Sequence, residues 1–481
     1  MAITSTFILF IIATIPILFA AVQPWVWSVY STLMISAFLT DWWQNRIRLS
    51  AAQGRGVNFA VILFFSTTML LCLPLPGGIL EYLSPVRFQA LATARVLLDG
   101  PAGWQTLSYS PQVAFSWWLF LFSLCLFFVV VRDLCVESKK LKLIVFIMIG
   151  VSVIEALYGL IQALVPSLGV LWVDYVQAYM GDARGTFINR NHFAGLIEMV
   201  LPLALGFTLA QGGWGQRYTL KKILASERLN RQSVFTLAVV MLLLALLFSR
   251  SRAGIAGALI GLFTFFLLAR SAARSLSGYT WLLLGAIVVL LVIYSVKIGI
   301  GPIVDRFQEL DTANSRLDYW RDSLPMVIDH PFGIGLRNFD KVFPVYNLSN
   351  LSENVVDHAH NDYLQLLIEA GWIGFTAVIS GFLIFMVKSA SKIKRLNFQK
   401  DPMRFFLAVG AFSGLVSMAF HSFFDFNLQI PANCVYFVIL LAIVHTCCWR
   451  STPACSSKLK TDGSKPKNGD ARFKALGLGS E

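Results

Sequence analysis

Apolar runs of about 17–25 residues recur through almost the whole chain, each long enough to cross a bilayer as a helix. Twelve can be drawn, at 6–22, 25–40, 58–75, 113–131, 142–164, 193–210, 233–249, 253–269, 280–299, 363–387, 405–420 and 432–449. A run of this kind has few stable destinations, because backbone groups in hydrocarbon must satisfy one another and a helix does so within itself. Only 14% of residues are charged and 57% are hydrophobic, whereas soluble domains carry about 25% charged residues. The sequence therefore specifies an all-α, polytopic transmembrane helical bundle of about 12 spans, and it excludes a soluble α/β enzyme. The first run lacks a basic segment ahead of it and a second run follows at once, so it reads as a span and not as a cleaved signal.

Charge orients the bundle. With the N-terminus placed in the cytoplasm, 27 of the 39 lysines and arginines fall on the inner side, and every inner segment is basic. Both termini are then cytoplasmic. Residues 1–449 form the membrane domain, and 450–481 form a basic cytoplasmic tail whose composition suits a disordered, solvated end near anionic lipid. The net charge of +13 is mostly this topology signal. Nucleic-acid binding has no support, since the basic residues are divided among loops and no reading motif occurs. The seven cysteines show no zinc-like spacing and none lies in an outer polar loop, so neither a disulfide nor a metal site is expected.

The outer cations differ in kind from the inner ones. Ten of the twelve are arginine, and arginine keeps its charge and grips phosphate with a planar fork. Ordinary pairing with outer aspartates accounts for some of them. Arg184, Arg190, Asn191 and His192 lie in a Gly-, Asn- and Thr-rich approach to the sixth span, where backbone amides at a helix start favour an anion. The bland alternative for Asn189 to His192 is a helix cap. Arg250 and Arg252 sit in a hairpin with almost no loop, where they can anchor to headgroups or hold a phosphate.

A long outer segment, 300–361, separates spans nine and ten. Within it Leu317, Trp320, Leu324, Val327 and Ile328 recur at helical spacing, which predicts an amphipathic helix on the membrane or against the bundle. Arg316 and Arg321 fall on different faces of that helix, and either could pair with Asp318 or Asp322. Arg337 follows a Gly-rich turn that begins at His330-Pro331.

The densest cluster of chemistry runs from Asp357 to Glu369 and includes His358, His360, Asn361, Asp362 and Glu369. Titratable groups at a membrane boundary are costly unless they have partners or a task. A second polar stretch, His421 to Asn433, returns to the same face and carries Asp425 and Asn427. Glu155 and Glu198 lie inside spans, where a buried carboxylate needs either a partner or a neutral state.

Taken together, Arg184-Gly-Thr-Phe, Asn191-His192-Phe, Ser251-Arg252-Ala-Gly, His330-Pro-Phe-Gly-Ile-Gly and His358-Ala-His360-Asn361-Asp362-Tyr-Leu-Gln with Glu369-Ala-Gly371-Trp-Ile-Gly374 resemble the bacterial O-antigen ligase/polymerase superfamily. The His421, Asp425 and Asn427 stretch is similar to a late motif of many members. The resemblance spans roughly 140–450. It implies a GT-C-like glycosyltransferase of the inner membrane, working at the periplasmic face without a cofactor or metal. Such an enzyme moves a glycan from undecaprenyl diphosphate to a hydroxyl acceptor. The acceptor is lipid A–core in ligases, a second lipid-linked glycan in O-antigen or exopolysaccharide polymerases, and a protein in a third branch.

By motif the family histidine falls on His360. The candidate catalytic residues are thus His360, Asp362, Glu369 and Asp425. Candidate substrate and diphosphate ligands are Arg184, Arg190, Asn191, His192, Arg250, Arg252, Arg316, Arg321, Arg337, His358 and Asn361. Three rival readings are available. His358-x-His360-x-Asp362 would suit a metal if the segment were extended, but a helix start there makes the spacing diverge. A polysaccharide-precursor transporter or flippase also fits twelve spans, though it would place charge within them. A peptidoglycan polymerase of similar architecture lacks the His-x-His-Asn-Asp motif.

Overall fold

The computed structural model of the chain describes residues 2–45, 55–98, 103–173, 180–211, 227–273, 311–348 and 356–449, together with Val289. The ninth expected span (280–299, Val289 apart), the first part of the long outer segment and the basic tail lie outside the described residues.

Among the described residues the regular structure is helical. The helices are α1 (Ala2–Thr14), α2 (Pro24–Asn45), α3 (Arg55–Leu70), α4 (Gly77–Leu83), α5 (Pro85–Leu98), α6 (Pro111–Cys135), α7 (Ser138–Leu164), α8 (Arg190–Gln211), α9 (Glu227–Phe248), α10 (Arg252–Ala273), α11 (Asp311–Asp329), α12 (Phe339–Val342), α13 (Asp362–Ile393), α14 (Pro402–His421) and α15 (Pro431–Trp449). Seven of them, namely α6, α7, α8, α10, α13, α14 and α15, are long and apolar enough to cross a membrane, which makes the chain a multi-pass membrane protein. Three more apolar helices are shorter, at Ile3–Thr14, Gly56–Leu70 and Gln232–Phe248.

The first expected span is broken. Helix α1 stops at Thr14, and a short 3-10 turn (Phe19–Ala21) with positive φ at all three residues leads into α2. Pro16 lacks the amide that would continue the helix ladder, and its carbonyl instead accepts a 2.8 Å hydrogen bond from the Thr186 hydroxyl.

Helix α8 is the axis of the bundle. Every residue from His192 to Leu209 is buried, as expected of a helix apolar on all sides. It packs on α14, α9, α10, α7 and α15. Between apolar helices in lipid, attraction comes from close packing and not from water exclusion, so small residues set the approach. A Cβ on Gly410 would stand 2.5 Å from the Pro202 carbonyl oxygen, and one on Gly414 would stand 2.3 Å from that of Met199. The Gly410-x-x-x-Gly414 face of α14 therefore lies directly on the α8 backbone. Helix α10 closes on the same pair through Gly257 and Gly261, whose added Cβ atoms would each lie 3.1 Å from a carbonyl oxygen of α14.

Helix α13 bends at Gly371, where φ is 68° and ψ 178°. The loop His330 to Gly335 fills the bend and takes up the backbone groups it frees. Trp372 N donates to Pro331 O at 3.0 Å, Ile334 N to Ile368 O at 3.1 Å and Gly335 N to Glu369 O at 3.0 Å. Contact is so close that a Cβ on Gly333 would lie 2.6 Å from Glu369 O, and one on Gly371 would lie 2.3 Å from the Phe332 carbonyl carbon.

Helix α11 runs through Pro325 without ending. Its expected apolar stripe divides. Val327 is buried and Trp320 donates its indole N–H to Ala359 O at 2.9 Å, while Leu317, Leu324 and Ile328 remain exposed. The segment carrying α4 and α5 packs against this region, with Ser84 3.4 Å from the His330 ring.

Candidate functional site

The polar residues singled out in the sequence gather at one end of the bundle, where α8 and α13 begin, α14 ends and α15 begins. The turn between α14 and α15 supplies the centre. Asp425 is fully buried there, and its amide donates to the last carbonyl of α14, that of His421, at 3.2 Å.

Four side chains from three distant segments converge on the Asp425 carboxylate. Asn191 Nδ2 donates to Oδ2 at 2.7 Å. Arg316 Nη2 stands 3.6 Å from Oδ2, and its Nη1 donates to Phe424 O at 2.7 Å. His360 Nδ1 lies 3.4 Å and His192 Nε2 3.7 Å from Oδ1, distances of ion pairing and not of aligned hydrogen bonds. The Phe426 amide also donates to Oδ1 at 2.9 Å. Burial on its own would raise the Asp425 pKa, but the two histidines beside it hold it well below the usual carboxylate range.

Phe426 is packed by three imidazoles. The His358 ring stacks on it at 4.0 Å, and the His192 and His360 rings meet it edge-on at 4.5 and 4.9 Å. His360 has φ 47°, a left-handed conformation that a residue with a Cβ rarely adopts. That strained step leads into the Asn361 cap of α13 while the ring turns back toward Asp425. Nδ1 of His360 is buried, so the 28% exposure of its side chain belongs to the remainder of the ring.

The neighbouring candidates have other partners. Asn361 caps α13, its Oδ1 accepting from Tyr363 N and Leu364 N at 3.1 Å each. Asp362 Oδ2 accepts from Leu428 N at 3.0 Å and so fastens α13 to the Asp425 turn. Glu369 accepts from Gln365 Nε2 at 2.9 Å and from the Arg337 amide at 2.8 Å. His358 faces Gln365 at 3.0 Å, and burial together with the nearby Arg337 charge lowers its pKa to about 3. His358, His360 and Asp362 thus address three different groups, as expected where a helix begins. Among the described residues, no group of three or more His, Cys, Asp or Glu side chains has the geometry of a metal cage.

A second cluster adjoins the first through the consecutive residues Arg190 and Asn191. Buried Asp182 pairs with Arg190 and lies 3.4 Å from Arg250 Nη1. Arg184 is within electrostatic range of the same carboxylate, so three guanidiniums share one acid. Burial raises the Asp182 pKa in spite of them. The loop is fixed from α7. Glu155 accepts from both the amide and the hydroxyl of Thr186 at 2.8 Å, and Gln162 binds Gly185 O at 3.0 Å and the Arg184 amide at 3.3 Å. These contacts supply the partner that buried Glu155 requires.

The other arginines separate. Arg337 lies over the Trp117 ring at 4.6 Å and reaches Gln429 O at 3.4 Å, beside the Asp425 turn. Arg252 is exposed at the first turn of α10. Arg321 is largely exposed and pairs with Asp318 at 3.2 Å. His330 is buried between Ser84, Tyr109 and Tyr346, and burial lowers its pKa to about 4.

Several contributors were not singled out from the sequence. Phe426 is one. Gln365 and Asn433 are others; Asn433 Nδ2 donates to His192 O at 3.0 Å and to Asn427 Oδ1 at 2.9 Å. The available signal was their position, since an amide at the edge of an apolar run needs a partner.

Residues 237–379 match the family model described as O-antigen ligase. The matched stretch contains Arg250, Arg252, Arg316, Arg321, Arg337, His358, His360, Asn361, Asp362 and Glu369, whereas Arg184, Arg190, Asn191, His192 and Asp425 lie outside it. No curated protein and no solved structure matches the chain. Over residues 237–379 the chain is therefore similar to the O-antigen ligase family.

Proposed function

We propose that the protein is a GT-C-like glycosyltransferase of the bacterial inner membrane, both of its termini cytoplasmic, which transfers a glycan from undecaprenyl diphosphate to a hydroxyl acceptor at the periplasmic face. The observation that carries this reading is the partly exposed His360 ring backed by buried Asp425, next to a cluster of arginines. Asp425 holds the Nδ1 edge of the ring, which leaves Nε2 as the basic atom for an incoming hydroxyl.

In the step itself the acceptor oxygen forms a bond to the anomeric carbon as the bond from that carbon to the diphosphate oxygen breaks. The electron pair leaves with undecaprenyl diphosphate, and the hydroxyl proton passes to His360 and then to water. Arg184, Arg190 and Arg250 on one side and Arg316 on the other offset the charge that develops on the diphosphate. Asn191 and His192 hold Asp425 in place, and Arg337, Asp362 and Glu369 brace the turn and helix that carry it. The seven apolar spans and the exposed Leu317, Leu324 and Ile328 suit a substrate delivered in the membrane plane.

The test is reconstitution of the purified protein with undecaprenyl-diphosphate repeat units, first alone and then with lipid A–core. Lengthening of the lipid-linked glycan without a second acceptor identifies a polymerase. Transfer that requires lipid A–core identifies a ligase, and transfer to a co-reconstituted protein identifies the third branch. With matched sugars, translocation without transfer would replace this reading by the transporter one.

A further inference from the structure

One ion pair lies entirely inside the bundle, below the site. Glu198 on α8 and His421 at the end of α14 both have zero exposure, and His421 Nδ1 is 3.0 Å from Glu198 Oε1. Neither residue reaches the surface where substrate would bind. Ionisable groups at such depth are expensive, and a buried pair does not in general pay for itself in stability. The packing has also been shaped to admit this one. A Cβ on Gly257 of α10 would lie 2.4 Å from Glu198 Oε2, so the carboxylate occupies room left by a missing side chain.

What the pair connects is specific. Six residues before Glu198 on the same helix is His192, and the residue before that is Asn191, both of which meet Asp425. On the other helix, the His421 carbonyl accepts from the amides of Phe424 and Asp425 at 2.8 and 3.2 Å, so it forms the base of the Asp425 turn. Asp362 and Asp425 are within electrostatic range of the His421 ring. The pair therefore adds a buried tie between α8, which carries Asn191 and His192, and the end of α14 on which the Asp425 turn is built.

We propose that Glu198 and His421 are positioning residues for glycosyl transfer: a buried clamp that sets the distance from Asn191 and His192 to Asp425 and thereby aims His360. The proposal rests on the functional reading above but concerns residues that touch no substrate. A misplacement of about 1 Å at a reacting group costs on the order of a hundredfold in rate. Glu198→Gln and His421→Gln each keep the approximate volume and polarity of the site while weakening the bond. Each is expected to lower kcat about 10- to 100-fold, with donor KM changed less than about threefold. The double variant Glu198→Gln/His421→Gln can form an amide–amide bond across the same gap, and it is expected to be more active than the product of the two single losses.

Melting temperature in detergent is measured on all four proteins. Loss of kcat at a nearly unchanged melting temperature, with a non-additive double variant, supports the clamp. Wild-type kcat in both single variants overturns it. Parallel loss of kcat, donor binding and melting temperature also overturns it, by reducing the pair to a packing element. If the wild-type protein transfers no glycan, the functional reading fails separately. The clamp is then judged by whether the two substitutions are non-additive in their effect on melting temperature, and additivity would rule it out.

Discussion

Replacing Asp425 with asparagine removes one charge from a buried carboxylate on which four side chains converge. The geometry gives the size of the effect. An imidazolium forming on His360 lies 3.4 Å from Asp425 Oδ1, and at an effective dielectric constant of about 20 this attraction is worth about 5 kcal/mol. At about 1.4 kcal/mol per tenfold change, losing all of it would slow transfer between a thousandfold and ten-thousandfold. The amide still offers an oxygen to the Phe426 amide, but its nitrogen then opposes Asn191 Nδ2, a donor facing a donor. Some rearrangement recovers part of the loss, so a fall in kcat of about a thousandfold is expected. Donor KM should change little, because the arginines of the Asp182 cluster remain. Arg316 has 34% side-chain exposure and can turn to water, so the fold should persist. The assay is glycan transfer in liposomes at saturating donor, with donor KM measured alongside. If Asp425→Asn retains more than about a tenth of wild-type kcat, a loss smaller than the roughly hundredfold or more of a general-base contribution, the His360–Asp425 arrangement is not the working part of the site.

Other outcomes follow from the same contacts. Gly371→Ala introduces a Cβ at positive φ, 2.3 Å from the Phe332 carbonyl carbon, and should destabilise the protein by about 1–3 kcal/mol, read as a lower melting temperature in detergent. Arg190→Ala should weaken donor binding and leave Asp182 facing Arg250 at 3.4 Å, whereas Arg321→Ala, on an exposed residue paired with Asp318, should leave transfer near wild type; donor titration of both variants checks the contrast. His330 and His358 have folded pKa values of about 4 and about 3, below the unfolded value of about 6.5. The unfolded chain therefore binds these protons first as pH falls, and each histidine removes about 1.4 kcal/mol of stability per pH unit between about 6.5 and its folded pKa. His330→Gln should flatten the decline in melting temperature between about pH 6.5 and 4, leaving its pH dependence above about pH 7 the same as wild type.

The span pattern was legible because hydrophobicity is a local property. Ten of the twelve expected runs fall on single helices, seven helices are long and apolar enough to span, the first run is broken after Thr14, and 280–299 lies almost wholly outside the described residues. The break in the first run had its signal in Pro16, which a hydropathy window does not weigh. The Asp357 to Glu369 cluster was also visible, as was the helix start that turns His358, His360 and Asp362 apart. What sequence could not rank was the carboxylates. Asp362, Glu369 and Asp425 look alike as acids at a membrane edge, and only long-range pairing separates them. Asn191 meets Asp425 across 234 positions and Glu198 meets His421 across 223. Glu155 posed the same problem, its partner Thr186 being 31 positions away in a loop read for its arginine.

The most direct measurement is the transfer rate of His360→Ala in liposomes, with donor binding determined on the same preparation. The account predicts donor affinity within about threefold of wild type and a loss of at least about a hundredfold in transfer. Transfer at the wild-type rate by His360→Ala would contradict it, and the acceptor hydroxyl would then have to be engaged by another group.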